Sequence, residues 1–287
     1  MTTKKPDYDH IYKLVREYYV QQLLLTKELY EHQYNELERI DNPRVSSLYH
    51  LMLSIYLTGS AINLLALNNY LGESYMLARA LLEKLINYMY LLVCEEGEYK
   101  KYLDYTKQRG YRVLNRSFIA GNQKVELKWG GSVNLDDYPE LKEAISQFTS
   151  SKGKAVTRWT SLSLADRLNV IGEKATINIT GLMFSMLGIY EDASEALHGS
   201  LYGATFNYGF FGGKKPSNTK EFAETYRNQL LTLFFALGTS IASLFKVISR
   251  VYPTKKVKEF AQQSGNNFGA LGKYIDNNIP EGRESGG

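Results

Sequence analysis

The stretch SYMLARALLEKLINYMYLLVCE, residues 74–95, decides the fold. Wound at 3.6 residues per turn, Met76, Leu77, Leu81, Leu82, Leu85 and Ile86 leave almost no polar side. A helix without a wet face belongs in a core, so other helices must surround it. Arg79 and Glu83 interrupt the apolar pattern, four residues apart and therefore on one face. A charge inside such a helix needs a partner. The couple is either an ordinary surface ion pair or a charged pair aimed into a cleft between helices.

Working outward, the same period continues on both sides. Tyr12, Val15, Tyr19, Leu23, Tyr30, Tyr34 and Leu37 recur at three- and four-residue steps and their multiples, predicting a helix over 7–40 with Asp7 or Asp9 as its cap. Asp41-Asn42-Pro43 breaks it, and Pro43 opens a second helix to about Tyr70. Gly72-Glu73-Ser74 punctuates before the central stretch. A charged helix follows over 98–118. Residues 119–137 then change character, with Gly121-Asn122 and an alternating 124–129 run that read as a loop or short hairpin. Further helices are predicted over 139–148, 162–171, 180–198 and 220–251, the last followed by Pro253. The expected fold is all-α: a single helical bundle of about seven to nine helices with one irregular or hairpin insertion. The bundle is placed over residues 1–263, and a mobile C-terminal tail over 264–287, which is rich in Gly, Asn and Ser.

Composition narrows the chemistry. The 287 residues include one Cys and four His, at positions 10, 32, 50 and 198. One Cys excludes a disulfide framework and thiolate zinc sites. No two His stand three or four apart, so no metal and no cofactor is expected. Hydrophobic residues at 44% and charged ones at 22% exclude disorder. Residues 45–72 and 228–245 carry no Asp, Glu, Lys or Arg and approach the length of a membrane span. Asn, His, Ser and Thr within them favour buried core helices, so membrane contact is not the expectation. The N-terminus lacks the apolar core of a signal peptide, and a lone Cys suits a reducing cytosol, so a cytoplasmic location is expected. The apolar and aromatic load, including 23 Tyr, points to a homo-oligomer or a protein partner.

Three segments could carry function. In Tyr190-Glu-Asp-Ala-Ser194-Glu-Ala-Leu-His198-Gly, Ser194 and His198 share a helix face, with Glu191 and Glu195 beside it. The alternative is a His that caps its own helix end, where a cation is favoured. No nucleophile elbow accompanies the Ser, which argues against serine hydrolase chemistry. The second segment, 100–128, holds eight basic side chains against two acidic ones, a local charge of +6. Lys107, Arg109, Arg112 and Arg116, interleaved with Tyr102, Tyr105, Tyr111 and Trp129, suit a nucleic-acid surface, since cations neutralise phosphates and rings stack on bases. The alternative is a solvated helix. The third, 199–213, has five Gly and five aromatics but no phosphate-loop pattern. It reads as a loop folded back on the bundle, or as a lid beside His198.

The runs Ala61-Ile-Asn-Leu-Leu, Gly72-Glu-Ser-Tyr-Met-Leu-Ala-Arg79-Ala-Leu-Leu-Glu83, Trp159-Thr-Ser-Leu-Ser-Leu-Ala-Asp-Arg167 and Ser194-Glu-Ala-Leu-His198-Gly-Ser200 occur in that order. Together they resemble an uncharacterised bacterial all-helical domain family, over about residues 50–205. That family is similar in turn to the HEPN-like helical group, whose active members are metal-independent RNases of toxin and antiphage systems. The resemblance implies a component of such a system acting on RNA. A non-catalytic sensor or partner-binding subunit is the alternative. Active HEPN-like members show an Arg followed by four to six residues and then a His. No Arg lies within thirty residues of His198 on its N-terminal side, and Arg44 to His50 fits a spacing common by chance. A site assembled across helices would instead pair Arg79 with His198. Ser194 and Glu83 would orient them.

Overall fold

The computed structural model describes residues 7–129, 133–198 and 216–278. Those residues are mostly helical, with one hairpin and, between the helix ending at Gln147 and the next at Leu164, an irregular stretch 148–163 that holds an isolated Thr149–Ala155 bridge. Contacts gather into two compact units, one from the described parts of Met1–Val93 and Leu164–Gly287, the other Cys94–Ser163. The expectation was one bundle over 1–263.

In the first unit, α1 (Tyr8–Asn35) starts where Asp7 accepts a hydrogen bond from the His10 amide, at 3.2 Å. Its buried stripe includes Ile11, Val15, Tyr18, Tyr19, Gln22, Leu23, Thr26, Leu29 and Gln33. Asn42 caps the short α2 (Pro43–Ser47), with Pro43 in its first turn. The helix predicted to run on from Pro43 is interrupted at Leu48, and α3 covers Tyr49–Leu67. Asn69, at φ 62°, turns the chain, and the Tyr70 amide bonds back to the Leu65 carbonyl at 3.0 Å. Asn is one of the few side chains that enter this left-handed region readily. The central helix α4 (Leu71–Val93) follows. It starts before the predicted Ser74, taking Gly72 inside. Its residues Tyr88 to Leu92 are consecutively buried, as only a helix covered on every side can be. It packs against α3 and against three later helices: α7 (Leu164–Ala175), α9 (Glu191–Leu197) and α10 (Thr219–Val251).

α8 (Thr180–Ser185) passes through one π-helical turn, Met186–Tyr190, into α9 without a break. Ser185 anchors this run: its hydroxyl donates to the Ala236 carbonyl at 2.8 Å and accepts from Ser240 at 2.8 Å, both on α10. α10 is charge-free in its middle and 72% buried over its most apolar window, so it is a core helix despite being long enough for a membrane span. The other charge-free segment, α3, is only 28% buried over its corresponding window. Leu57, Leu64 and Leu67 on its outer side stand exposed.

The expected tail beyond 263 continues instead as α11 (Lys255–Asn278). Gly265, Gly269 and Gly272 weaken helix propensity there and meet nothing that a Cβ would touch. Tertiary burial overrides that weakness. Val257, Phe260, Ser264 and Leu271 are buried at helical spacing. Ser264 exchanges two hydrogen bonds with Gln22 inside the core, its hydroxyl donating at 2.6 Å and its carbonyl accepting at 3.2 Å. Residues 279–287, also part of that expected tail, lie outside the described set, as does the stretch 199–213.

The second unit holds α5 (Glu96–Leu114), β1 (Asn115–Ala120), β2 (Gln123–Lys128) and α6 (Pro139–Gln147). The hairpin expected within 119–137 begins earlier, so α5 stops at Leu114 and not at Phe118. Gly121, at φ +57°, occupies the first loop position, where a two-residue turn needs a residue free to go left-handed. Six pairs then zip from Ala120–Gln123 back to Asn115–Lys128. Arg116 is therefore a strand residue and does not share a helix face with Arg109 and Arg112.

Part of the tyrosine content belongs to the core. Tyr19, Tyr75 and Tyr88 are fully buried; Tyr19 donates to the Gly59 carbonyl at 2.9 Å and Tyr75 to Gln229 Oε1 at 2.9 Å. Burial holds the phenols of Tyr18, Tyr19, Tyr75 and Tyr88 well above the ordinary value and pushes Tyr226 up to about 12. An unfolded Tyr ionises near pH ~10. The contribution of these phenols is therefore level below pH ~10 and falls above it, because only the unfolded chain gives up these protons, at about 1.4 kcal/mol per pH unit per phenol. Urea midpoints measured from pH 8 to 11 are expected to fall only above about pH 10.

Candidate functional site

Arg79 and Glu83 sit one turn apart on α4, and Tyr190 and Ser194 one turn apart on the π–α9 run that packs against it. Ile189 and Ala193 are fully buried on that run, which turns Tyr190 and Ser194 toward the edge of the contact. The four side chains close a ring. Arg79 Nε donates to Glu83 Oε1 at 3.2 Å, and Arg79 Nη1 donates to Ser194 Oγ at 2.7 Å. The Tyr190 hydroxyl donates to the same Glu83 oxygen at 2.8 Å. Ser194 Oγ donates to the Tyr190 carbonyl at 2.8 Å. The guanidinium carbon lies 4.6 Å from the Tyr190 ring centroid, a cation–π contact. Burial, then the Glu83 hydrogen bond and charge, raise the Tyr190 pKa, so this phenol stays a donor at neutral pH.

The ring opens onto a groove of about 600 Å³. Leu65, Met76, Leu77, Ala80 and Leu197 form its apolar wall, with Glu73, Arg79 and Glu83 as the charged part. The Arg79 and Glu83 side chains are 21% and 40% exposed, so solvent reaches the pair. A guanidinium has five N–H donors. Among the described residues Arg79 uses only Nε and Nη1, leaving donors for an anion entering the groove. Ser194 spends its proton on the Tyr190 carbonyl and has no base beside it in this ring, so its hydroxyl positions Arg79 and is not an activated nucleophile.

His198 ends α9, with its amide bonded to the Ser194 carbonyl at 3.0 Å, as the helix-end reading expected. Its side chain is exposed and makes no hydrogen bond to Arg79, Glu83 or Ser194. Three of the four expected residues thus converge, and His198 stands one turn beyond them. Tyr190 was not singled out from sequence, although the spacing Tyr190, Ser194, His198 repeats every four residues and marks a single face. Arg44, the other Arg at a suggestive spacing, is a structural cap: its Nη1 donates to the carbonyls of Leu91 and Leu92 at the end of α4, at 3.3 and 3.5 Å.

In the second unit the basic run is partly neutralised. Lys107 binds Glu140 at 2.7 Å, which raises the lysine pKa and lowers that of the carboxyl. Arg112 donates to Gln108 at 2.8 Å and to Thr149 at 2.6 Å. Glu98 takes Lys101, and Glu126 takes Lys124. Tyr102 meets the edge of Trp159 and Tyr105 that of Phe148, both with centroids 5.3 Å apart, so these rings are packed and not presented to bases. Arg109 and Arg116 remain exposed. Among the described residues no group of three His, Cys, Asp or Glu could hold a metal ion.

Residues 45–215 match the model of a family of unknown function, DUF5677, and the chain belongs to that family. The match brackets the expected 50–205 core. No curated protein and no solved structure matches the chain.

A half-solvated ion pair contributes little. Glu83→Gln should change the unfolding free energy by less than about 1 kcal/mol in urea titration. A loss of about 3 kcal/mol or more would mark the ring as a buried structural network.

Proposed function

We propose that this DUF5677 member is an RNA-acting effector of the toxin or antiphage type, cleaving RNA without a metal in the manner of HEPN-like enzymes, with Arg79 and His198 as its catalytic pair. The observation that carries the reading is the Arg79 ring: a cation held in place by Glu83, Tyr190 and Ser194, solvent-accessible, at the mouth of a groove. Preorganised donors of this kind stabilise charge that develops on a phosphoryl group. The 2′-hydroxyl would attack the adjacent phosphorus, losing its proton to a base, while the P–O5′ bond breaks and the leaving oxygen takes up a proton. His198 is the imidazole available for one of these transfers. Glu83 and Ser194 act as positioning residues for Arg79. The exposed Arg109 and Arg116, with Lys107 and Arg112 nearby in sequence, would contribute backbone contacts to a longer RNA.

A second reading is a non-catalytic partner-binding subunit in the cytoplasm. It is favoured by the apolar outer side of α3, where Leu57, Leu64 and Leu67 are each about half exposed or more. Such a side suits a protein partner or a second copy of the chain.

One experiment separates the two. His198→Ala and Arg79→Ala, each checked for native circular dichroism, are expected to abolish cleavage of total RNA and tRNA and to relieve toxicity on expression. If the wild-type protein leaves every RNA intact under all activating conditions, the catalytic reading fails. A copurifying complex that survives His198→Ala and is lost in Leu57→Glu/Leu64→Glu would then support the second.

A further inference from the structure

A second cleft lies on the first unit, and it shares no lining residue with the Arg79 groove. Its walls are the connection between α7 and α8, the C-terminal half of α10, and α11. It has two contiguous halves, which share Asn178, Lys246 and Ala261. The outer half, about 480 Å³, carries Lys246, Arg250 and Lys258, with no Asp or Glu in its lining. Lys246 and Arg250 stand four apart on α10, and Lys258 faces them from α11. All three are exposed, and none takes part in an ion pair among the described residues. Converging cations repel one another and raise the local potential, a cost that an anion in the cleft removes.

The inner half, about 240 Å³, has a different character. Phe268 lines it and is 43% exposed, although Tyr18 and Phe235 also lie against its ring, with centroids 6.0 and 6.5 Å away. Thr239 and Ser243 line it too, and both hydroxyls spend their protons on backbone carbonyls of their own helix, at 2.9 and 3.1 Å. They therefore meet a ligand as acceptors. A ring to stack on, acceptors for an amino group, and limited depth suit a planar amino-bearing heterocycle better than an acyl chain. Thr176 stands on the rim at φ +52°, a left-handed backbone that β-branched residues avoid, and the chain turns through it into Asn178. Strain of this kind concentrates at ligand sites.

We infer that this cleft binds a nucleoside phosphate, with the base in the inner half against Phe268 and the phosphates among Lys246, Arg250 and Lys258. The site does not depend on the RNA-acting reading of the Arg79 groove. It would give the protein a nucleotide input separate from that groove.

Calorimetric titration of the full chain in magnesium-free, low-salt buffer tests this with ATP, AMP, adenosine and inorganic phosphate as probes. ATP is expected to bind saturably and more tightly than AMP, and affinity should fall as salt is raised. Lys246→Gln/Lys258→Gln should weaken ATP at least about tenfold while leaving the thermal melt in place, since both side chains are exposed. Phe268→Ala should weaken ATP and leave phosphate unchanged. Absence of saturable ATP binding, or equal affinity in the double lysine variant, overturns the site. Phosphate binding as tightly as ATP, or preference for a long RNA with no response to ATP, overturns the nucleoside assignment.

Discussion

A polar group inside a fully covered helix has to find its partner on whichever helix covers it, and α4 obeys this constraint in every direction. Tyr75 bonds Gln229 on α10. Arg79 bonds Ser194 on α9. Lys84 donates to Thr58 on α3 at 2.6 Å, with its pKa lowered by burial. Asn87 accepts from Arg167 on α7, and Tyr88 accepts from Gln33 on α1. Arg44 on α2 closes the C-terminal carbonyls. Apolar burial holds the helices together but is non-directional. These contacts assign each neighbour a place, because leaving one of the buried ones, such as that of Tyr88, unmade would strand a polar group in the core.

The candidate site follows from the same constraint. The Arg79 connection reaches the rim of the packed region, so its pairing with Glu83 and Ser194 is half solvated. The π turn before α9 belongs to the arrangement. A wider turn adds a residue to the helix, and such turns recur at functional positions. Here Tyr190 closes the turn and lays its ring against the guanidinium. The apolar wall of the groove is formed by residues of α3 and α4 together with Leu197 at the end of α9.

Much of the fold was legible because hydrophobic period and caps are local signals. Asp7, Asn42 and Pro43 do what their residue types predict. The errors share a cause as well. The charged helix predicted over 98–118 ends at Leu114, because the pairing of Ser117-Phe118-Ile119 with Lys124-Val125-Glu126 across Gly121-Asn122 takes that segment into a ladder. The segment after 263 read as tail because its glycines are poor helix formers. It is helical because Val257, Phe260 and Leu271 are buried against the bundle and Ser264 bonds Gln22, 242 positions earlier. No window of sequence contains that pair.

Sequence alone determined that residues 74–95 form a core helix, that Arg79 and Glu83 share one of its faces, and that Ser194 lies on another helix ending at His198. Those are consequences of period and residue type. Which helix faces Arg79, that Tyr190 joins the ring, that His198 stands outside it, and that Lys246, Arg250 and Lys258 gather around one cleft were decided only by tertiary structure. Each depends on two segments far apart in the chain meeting at a particular rotation. That rotation comes from packing all the helices at once and not from any one of them.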